Sequence, residues 1–288
     1  MSSSAWRRIA VFLVFTYALS SIFYIHIAST GKMKMLPVLG LMWCPGVAAL
    51  LLRLVTQRNL RGTGWGWGAT RWQAASYFLV PALALVVYGL TWLTGIGGFS
   101  ATGLSKQAEP VLPLPLMIGV LATLGFLQGA VFALGEEIGW RGFLVPELAR
   151  VASFRNTALI SGAAWAAYHY PLILFADYNS KAPKWYVLLV FTWMVVAASF
   201  VFAWLRLKSG SMWTAVILHA SHNLFVQDIF DRLTVDRKLT SYVTTEFGAG
   251  LAVAYTAAAW YFWRRREELS QTGETVTAGA AQPAPAAT

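Results

Sequence analysis

Residues 185–205 read WYVLLVFTWMVVAASFVFAWL, 21 consecutive positions without a charge. A helix of about 20 mostly apolar residues crosses the roughly 30 Å hydrocarbon core of a bilayer, so this stretch predicts a membrane span. Outward from it, similar apolar runs recur at about 9–28, 35–55, 74–96, 112–135, 156–175, 211–230 and 247–263, which makes eight. Composition agrees, with 57% of the 288 residues hydrophobic, 12% charged and a mean hydropathy of +0.56. A soluble domain carries about 25% charged residues, so this chain has too little charge to wet its own surface. A soluble globular fold is excluded, and so is disorder over most of the length. The single Cys44 excludes a disulfide framework or a thiolate metal cluster. The fold class expected is an all-α polytopic membrane protein of about eight transmembrane helices.

The net charge of +10 comes from 22 Lys and Arg against 12 Asp and Glu. These basic residues form no single patch that would point to nucleic acid, and no nucleic-acid partner is expected. They lie between the apolar runs, where excess Lys and Arg mark cytoplasmic segments. With eight spans and a cytoplasmic N-terminus, fourteen of the 22, including Arg7, Arg8, Arg53, Arg206 and Arg264, fall inside and eight fall outside. Both termini are therefore predicted cytoplasmic, in a multi-pass protein of the cell membrane. The opening MSSSAWRRIAVFLVF shows no small-x-small cleavage signal and reads as a retained first span. Residues 59–72, rich in Gly, Arg and Trp, read as an interfacial turn. Residues 1–268 form one expected transmembrane domain with its motif-bearing core at about 112–230, and 269–288 read as a disordered tail. Membrane lipid is the one partner that composition identifies, and nothing in the sequence fixes an oligomeric state.

Ionisable groups at membrane depth are costly and mark sites, and here they form three clusters. In LGEEIGWRG, Glu137 and Arg141 stand four apart with the acid first, the favourable order for an ion pair. Glu136 lies about 100° round the helix, along the stripe of Phe132 and Trp140, with no base at helical spacing. His169 has Trp165 four residues before it and Pro171 two after; alone it would read as a packing residue. His219 and Asn223 share a face and offer two donors in one direction, while His222 is displaced and reads as a supporting residue. Counted from Arg150, Arg155 and Lys208, the residues Glu136, His169 and His219 lie about 16 to 21 Å deep at 1.5 Å per residue. Matched depth predicts one shared, wet, cytoplasm-facing cavity.

These residues compose three ordered motifs: E-E-x-x-x-R at Glu136, Glu137 and Arg141, aromatic-x-x-x-H at Trp165 and His169, and H-x-x-x-N at His219 and Asn223. Together they resemble the CAAX protease and bacteriocin-processing family, which includes the type II CAAX prenyl endopeptidase. Trp165 departs from the family's more usual Phe. The resemblance implies an eight-span intramembrane endopeptidase acting on a peptide or lipidated protein. In it, Glu136 with His169 activates water, His219 and Asn223 stabilise the oxyanion, and Glu137 and Arg141 support them. The chemistry is consistent: amide hydrolysis needs a base near the working pH, burial moves a carboxyl that way, and an oxyanion needs preorganised donors. Neither a G-x-S-x-G turn nor H-E-x-x-H occurs. Rival classes are a non-catalytic scaffold or bacteriocin-immunity protein, and a secondary transporter. The expected cofactor is none, with Zn²⁺ on Glu136, His169, His219 and His222 as the alternative. Against zinc, the sole i, i+4 pair supplies an amide, a poor ligand. The final residues APAAT contain no C-a-a-X box, so the chain is not its own substrate in that sense.

Overall fold

The computed structural model describes residues 2–105 and 112–269; the expected tail, but for Leu269, lies outside the described residues. The long helices are α1 (Ser2–Thr30), α2 (Met35–Gln57), α3 (Thr70–Leu93), α4 (Leu114–Ala149), α5 (Phe154–Phe175), α6 (Lys184–Ser209), α7 (Trp213–His222) and α8 (Ala249–Arg264). The first six are each long and apolar enough to cross a membrane. The last two expected runs form shorter helices, α7 being prolonged by a π-helix, Asn223–Phe230. The sole strand pairing among the described residues joins Gly98–Phe99 antiparallel to Thr234–Val235.

The fourth run differs most from expectation. The expected span ends at about residue 135, yet α4 continues to Ala149, so the helix that carries the first motif runs well past the apolar run. Close packing on α2 sustains it. A Cβ at Gly135 would come 2.7 Å from the Trp43 Cα, and one at Gly139 would come 2.5 Å from the Pro45 Cβ. Glycines four apart let two helix backbones touch, and in lipid such contact replaces the missing hydrophobic drive between helices.

Within α4, residues Trp140–Leu144 form a π-turn, a geometry that takes backbone groups out of the regular ladder. Two buried arginines take up carbonyls there. Arg206 Nε donates to the Arg141 carbonyl at 2.8 Å, and Arg53 Nη2 donates to that of Gly142 at 3.0 Å. The same guanidinium groups bind the α2–α3 loop at the carbonyls of Arg61, Gly62 and Thr63. The segment expected as an interfacial turn is mostly exposed, with Trp65 and Trp67 outward, and is anchored to α4 and α6 through these arginines. Gly64 in it has φ +90°, and any Cβ there would meet Arg206 Nη2 at 2.8 Å, so glycine alone fits.

The first and last described residues lie at this arginine-rich end, where Arg8 pairs with Glu147 at 2.6 Å and Lys208 with Glu268 at 3.6 Å. The loops 31–34, 176–183 and 231–248 lie at the other. In the interior, the Tyr168 hydroxyl joins α5 to α1 and α2 through Ser20 Oγ at 2.6 Å and the Leu41 carbonyl at 2.8 Å.

Candidate active site

Consecutive residues at the middle of α4 point their carboxylates to different partners. Glu137 receives Arg141 Nη1 on both oxygens, at 2.9 and 3.2 Å. The guanidinium carbon of Arg141 lies 4.0 Å from the ring centroids of both Trp165 and Phe202, a cation sandwiched between two π faces. Glu136 has no cationic partner, as its position on the helix predicts, but it is not bare. Its Oε2 accepts from Trp140 Nε1 at 3.1 Å and Trp165 Nε1 at 2.8 Å. The second of these bonds depends on the departure noted in the motif, because a Phe has no N–H to give.

Trp165 also orients the first histidine. Its carbonyl lies 2.8 Å from His169 Nδ1. A carbonyl only accepts, so Nδ1 carries the hydrogen and Nε2 of the neutral ring is left to receive one. His219 is fixed differently, its Nδ1 standing 2.9 Å from Glu137 Oε1. Glu137 therefore joins Arg141 to His219. With His219 Nδ1 committed to Glu137, Nε2 is the nitrogen left to act beside the Asn223 amide. Asn223 opens the π-helix, and among the described residues its side chain has no hydrogen-bond partner.

Glu136, His169, His219 and Asn223, drawn from α4, α5, α7 and the start of the π-helix, line one cavity of about 110 Å³. Its wall reaches Met33 and Tyr178 in the loops opposite the arginine-rich end. A neighbouring lobe of about 30 Å³ shares His169, His219 and Asn223 and adds His222, Glu246 and Tyr255. The cavity thus approaches the end of the bundle away from the first and last described residues.

Glu246 is a carboxylate that sequence reasoning passed over. It is 5% exposed, and Gln227 Nε2 donates to its Oε2 at 2.9 Å. His222 Nε2 stands 3.4 Å from the same oxygen, and the Tyr178 hydroxyl is a further partner. Burial opposes its charge, yet hydrogen bonds from His222, Tyr178 and Gln227 hold its carboxyl below the ordinary glutamate range. Burial and then Glu246 push the Tyr178 phenol well above its ordinary value. The signal was available: an isolated acid directly before the last apolar run.

In the four residues of the zinc alternative, Oε2 of Glu136 receives two indoles, Nδ1 of His219 faces Glu137 and Nδ1 of His222 faces the Tyr255 hydroxyl at 3.0 Å, so the atoms left over are Glu136 Oε1 and the histidine Nε2 atoms. Among the described residues no three His, Cys, Asp or Glu side chains come together closely enough to hold a metal ion.

Residues 115–225 match the family described as type II CAAX prenyl endopeptidase Rce1-like. The matched segment runs from the start of α4 to just past Asn223 and contains all three motifs, so the profile and the motif resemblance identify one family. It is a family of membrane proteases of the CAAX prenyl type. No curated protein matches the chain.

Proposed function

We propose that this multi-pass chain, whose core carries the Rce1-like family's sequence, hydrolyses a peptide bond at the membrane using water activated by Glu136 and His169. The observation that carries the reading is that Glu136, His169, His219 and Asn223, from four helical segments, line a single cavity. Two indole donors hold Glu136 by one oxygen, which leaves Oε1 for the water. His169, in the wall of the same cavity, presents an unprotonated Nε2. Water attacks the carbonyl carbon as its proton passes to Glu136, and the carbonyl oxygen becomes the oxyanion. The Asn223 amide donates to that oxygen. His219 Nε2 donates as well when the ring is an imidazolium, whose charge is then paired with Glu137. Collapse breaks the C–N bond, and the proton held by Glu136 goes to the leaving nitrogen. Glu137 and Arg141 hold His219 in place. No step passes through a metal.

The family points to a prenylated C-terminal peptide as substrate. Purified protein in vesicles, given a prenylated peptide ending in a C-a-a-X sequence, is expected to release the last three residues, and the Glu136→Gln protein is not. Exhaustive chelation, with elemental analysis of the same sample, is expected to leave turnover intact. Inactivation that stoichiometric zinc reverses overturns Glu136 as the base.

The Lys and Arg distribution supports cytoplasmic termini, which puts the loops beside the cavity on the other face. In intact cells a cysteine at Thr272 then resists an impermeant reagent while one at Ser180 reacts. The converse labelling places the cavity on the cytoplasmic side.

A further inference from the structure

We propose that Glu246 is a positioning residue for this hydrolysis, holding His169 and Asn223 in register through Tyr178, His222 and Gln227; the proposal rests on the reading of the site given above. A buried carboxylate in a membrane bundle is expensive unless donors surround it. Three groups from three separate elements face Glu246: Gln227 from the π-helix, whose Nε2 donates to it at 2.9 Å, His222 from the end of α7, whose Nε2 stands 3.4 Å away as an ion-pair neighbour, and Tyr178 from the α5–α6 loop. The mechanism uses none of these groups, yet each adjoins a residue it does use. The Tyr178 ring lies 5.9 Å from the His169 ring, tilted by 35°, and forms the loop-side wall of the cavity. His222 immediately precedes Asn223, and Gln227 follows it by four, so the two donors bracket the oxyanion amide along the chain.

The geometry gives Glu246 a counterpart. Glu137 fixes His219 from α4, and Glu246 faces His222, three residues further along α7, from the other side of the cavity. Asn223 makes no side-chain hydrogen bond among the described residues, so nothing but the backbone aims its amide. That backbone is a π-helix, a wider turn than the α-helix before it. The Gln227 hydrogen bond and the His222 ion-pair contact to Glu246, one on either side of Asn223, pin that turn. Phe247, next in the chain, stacks edge-on to Tyr178 with centroids 5.1 Å apart and keeps the Tyr178 hydroxyl directed inward. Loss of the carboxylate frees the loop wall and the π-turn together, while the reacting groups keep their chemistry.

The test uses the full-length protein in vesicles with the prenylated peptide, as wild type, Glu246→Ala, Glu246→Gln and Tyr178→Phe. Misplacing reacting groups by about 1 Å costs on the order of 100-fold, so Glu246→Ala is expected to lower kcat by about 10- to 100-fold with KM within about twofold. Glu246→Gln, which keeps an acceptor oxygen, recovers part of the loss, and Tyr178→Phe falls by less than Glu246→Ala. A second readout needs no turnover: diethyl pyrocarbonate should modify His169, followed by mass spectrometry, faster in Glu246→Ala and Tyr178→Phe than in wild type. Unchanged kcat in an active preparation overturns the proposal, as does a loss confined to KM, which would make Glu246 a substrate contact. Should Glu246→Ala not fold, Glu246→Gln and Tyr178→Phe carry both measurements. A wild type that cleaves no peptide overturns the protease reading instead, and the His169 modification rates then decide positioning alone: acceleration supports it and equality overturns it.

Discussion

At the arginine-rich end of the bundle, Arg53 and Arg206 spend their guanidinium hydrogens on backbone carbonyls of α4 and the α2–α3 loop. At the opposite end Glu246 gathers a phenol, an imidazole and an amide. A guanidinium stays charged and its several N–H groups bind several carbonyls at once, so the first end is a lock. A carboxylate gathered by side chains from three elements can be rearranged by moving any of them, and the cavity lies on that side. Stability and chemistry are thereby allotted to different ends, with Glu137 and Arg141 between them.

The strongest trial of that division is the pair of adjacent acids. Glu136→Gln is expected to abolish peptide hydrolysis and leave the thermal midpoint nearly unchanged, while Glu137→Gln damages both, because it breaks the link between Arg141 and His219. Equal behaviour of the two in activity and melting breaks the comparison. Next, His219→Ala and Asn223→Ala should each lower kcat by about 10² or more, the usual scale for an oxyanion donor, with less effect on KM. The reverse pattern makes them binding residues. Arg206→Ala removes no atom of the cavity but strips the carbonyls of Arg141, Gly62 and Thr63, at about 1–3 kcal/mol for each buried group left unpaired. Its thermal midpoint should drop clearly, and an unchanged midpoint would show that this end is not a lock.

Trp165→Phe sharpens the comparison at the boundary. It deletes one of two N–H bonds to Glu136 and keeps a ring over Arg141, so a loss in kcat of about tenfold, worth about 1.4 kcal/mol, is expected with little change in melting. The smallest effect belongs to the loop end. Burial first, and Glu246 and Asp228 further, raise the Asp231 carboxyl to about 7 against the pull of its Tyr88 hydrogen bond and of Arg232. Unfolded, it ionises near 3.8. Its contribution to stability is complete below 3.8 and is lost as pH rises through 7. Asp231→Asn should flatten this part of the melting profile between pH 4 and 7; an identical slope refutes a buried neutral acid.

Much of the site could be read from the sequence because depth along a helix is simple arithmetic. Counting 1.5 Å per residue from flanking basic residues brought Glu136, His169 and His219 to one level, and the structure places them around one cavity. What counting misses is angular and uncharged. The 100° step fails inside the π-turns at 140–144 and 223–230, so the setting of Asn223 could not be projected from that of His219. Searching for charge partners left Glu136 bare, since indole N–H groups carry no sign. Hydropathy ended the fourth span at Glu136, because it does not register the glycine contacts with α2 that carry the helix onward. Glu246 fell between a loop and a span, and its three donors lie far apart in the chain or one helical turn away from a histidine read as secondary.

The 36 residues of α4 would measure about 54 Å end to end, against roughly 30 Å of hydrocarbon. Even at about 40° of tilt, the upper limit of the usual range, such a helix spans about 41 Å. About 10 Å of it must therefore lie outside the acyl region, and its last turn, where Glu147 binds Arg8 and Arg150, is suited to headgroups. Hydrophobic mismatch thus acts on the helix that bears both acids. In a thicker bilayer α4 stands more upright and draws the Glu147 cluster towards the acyl chains; in a thinner one it leans. Bilayer thickness thus bears on the tilt of the helix that carries Glu136 and Glu137.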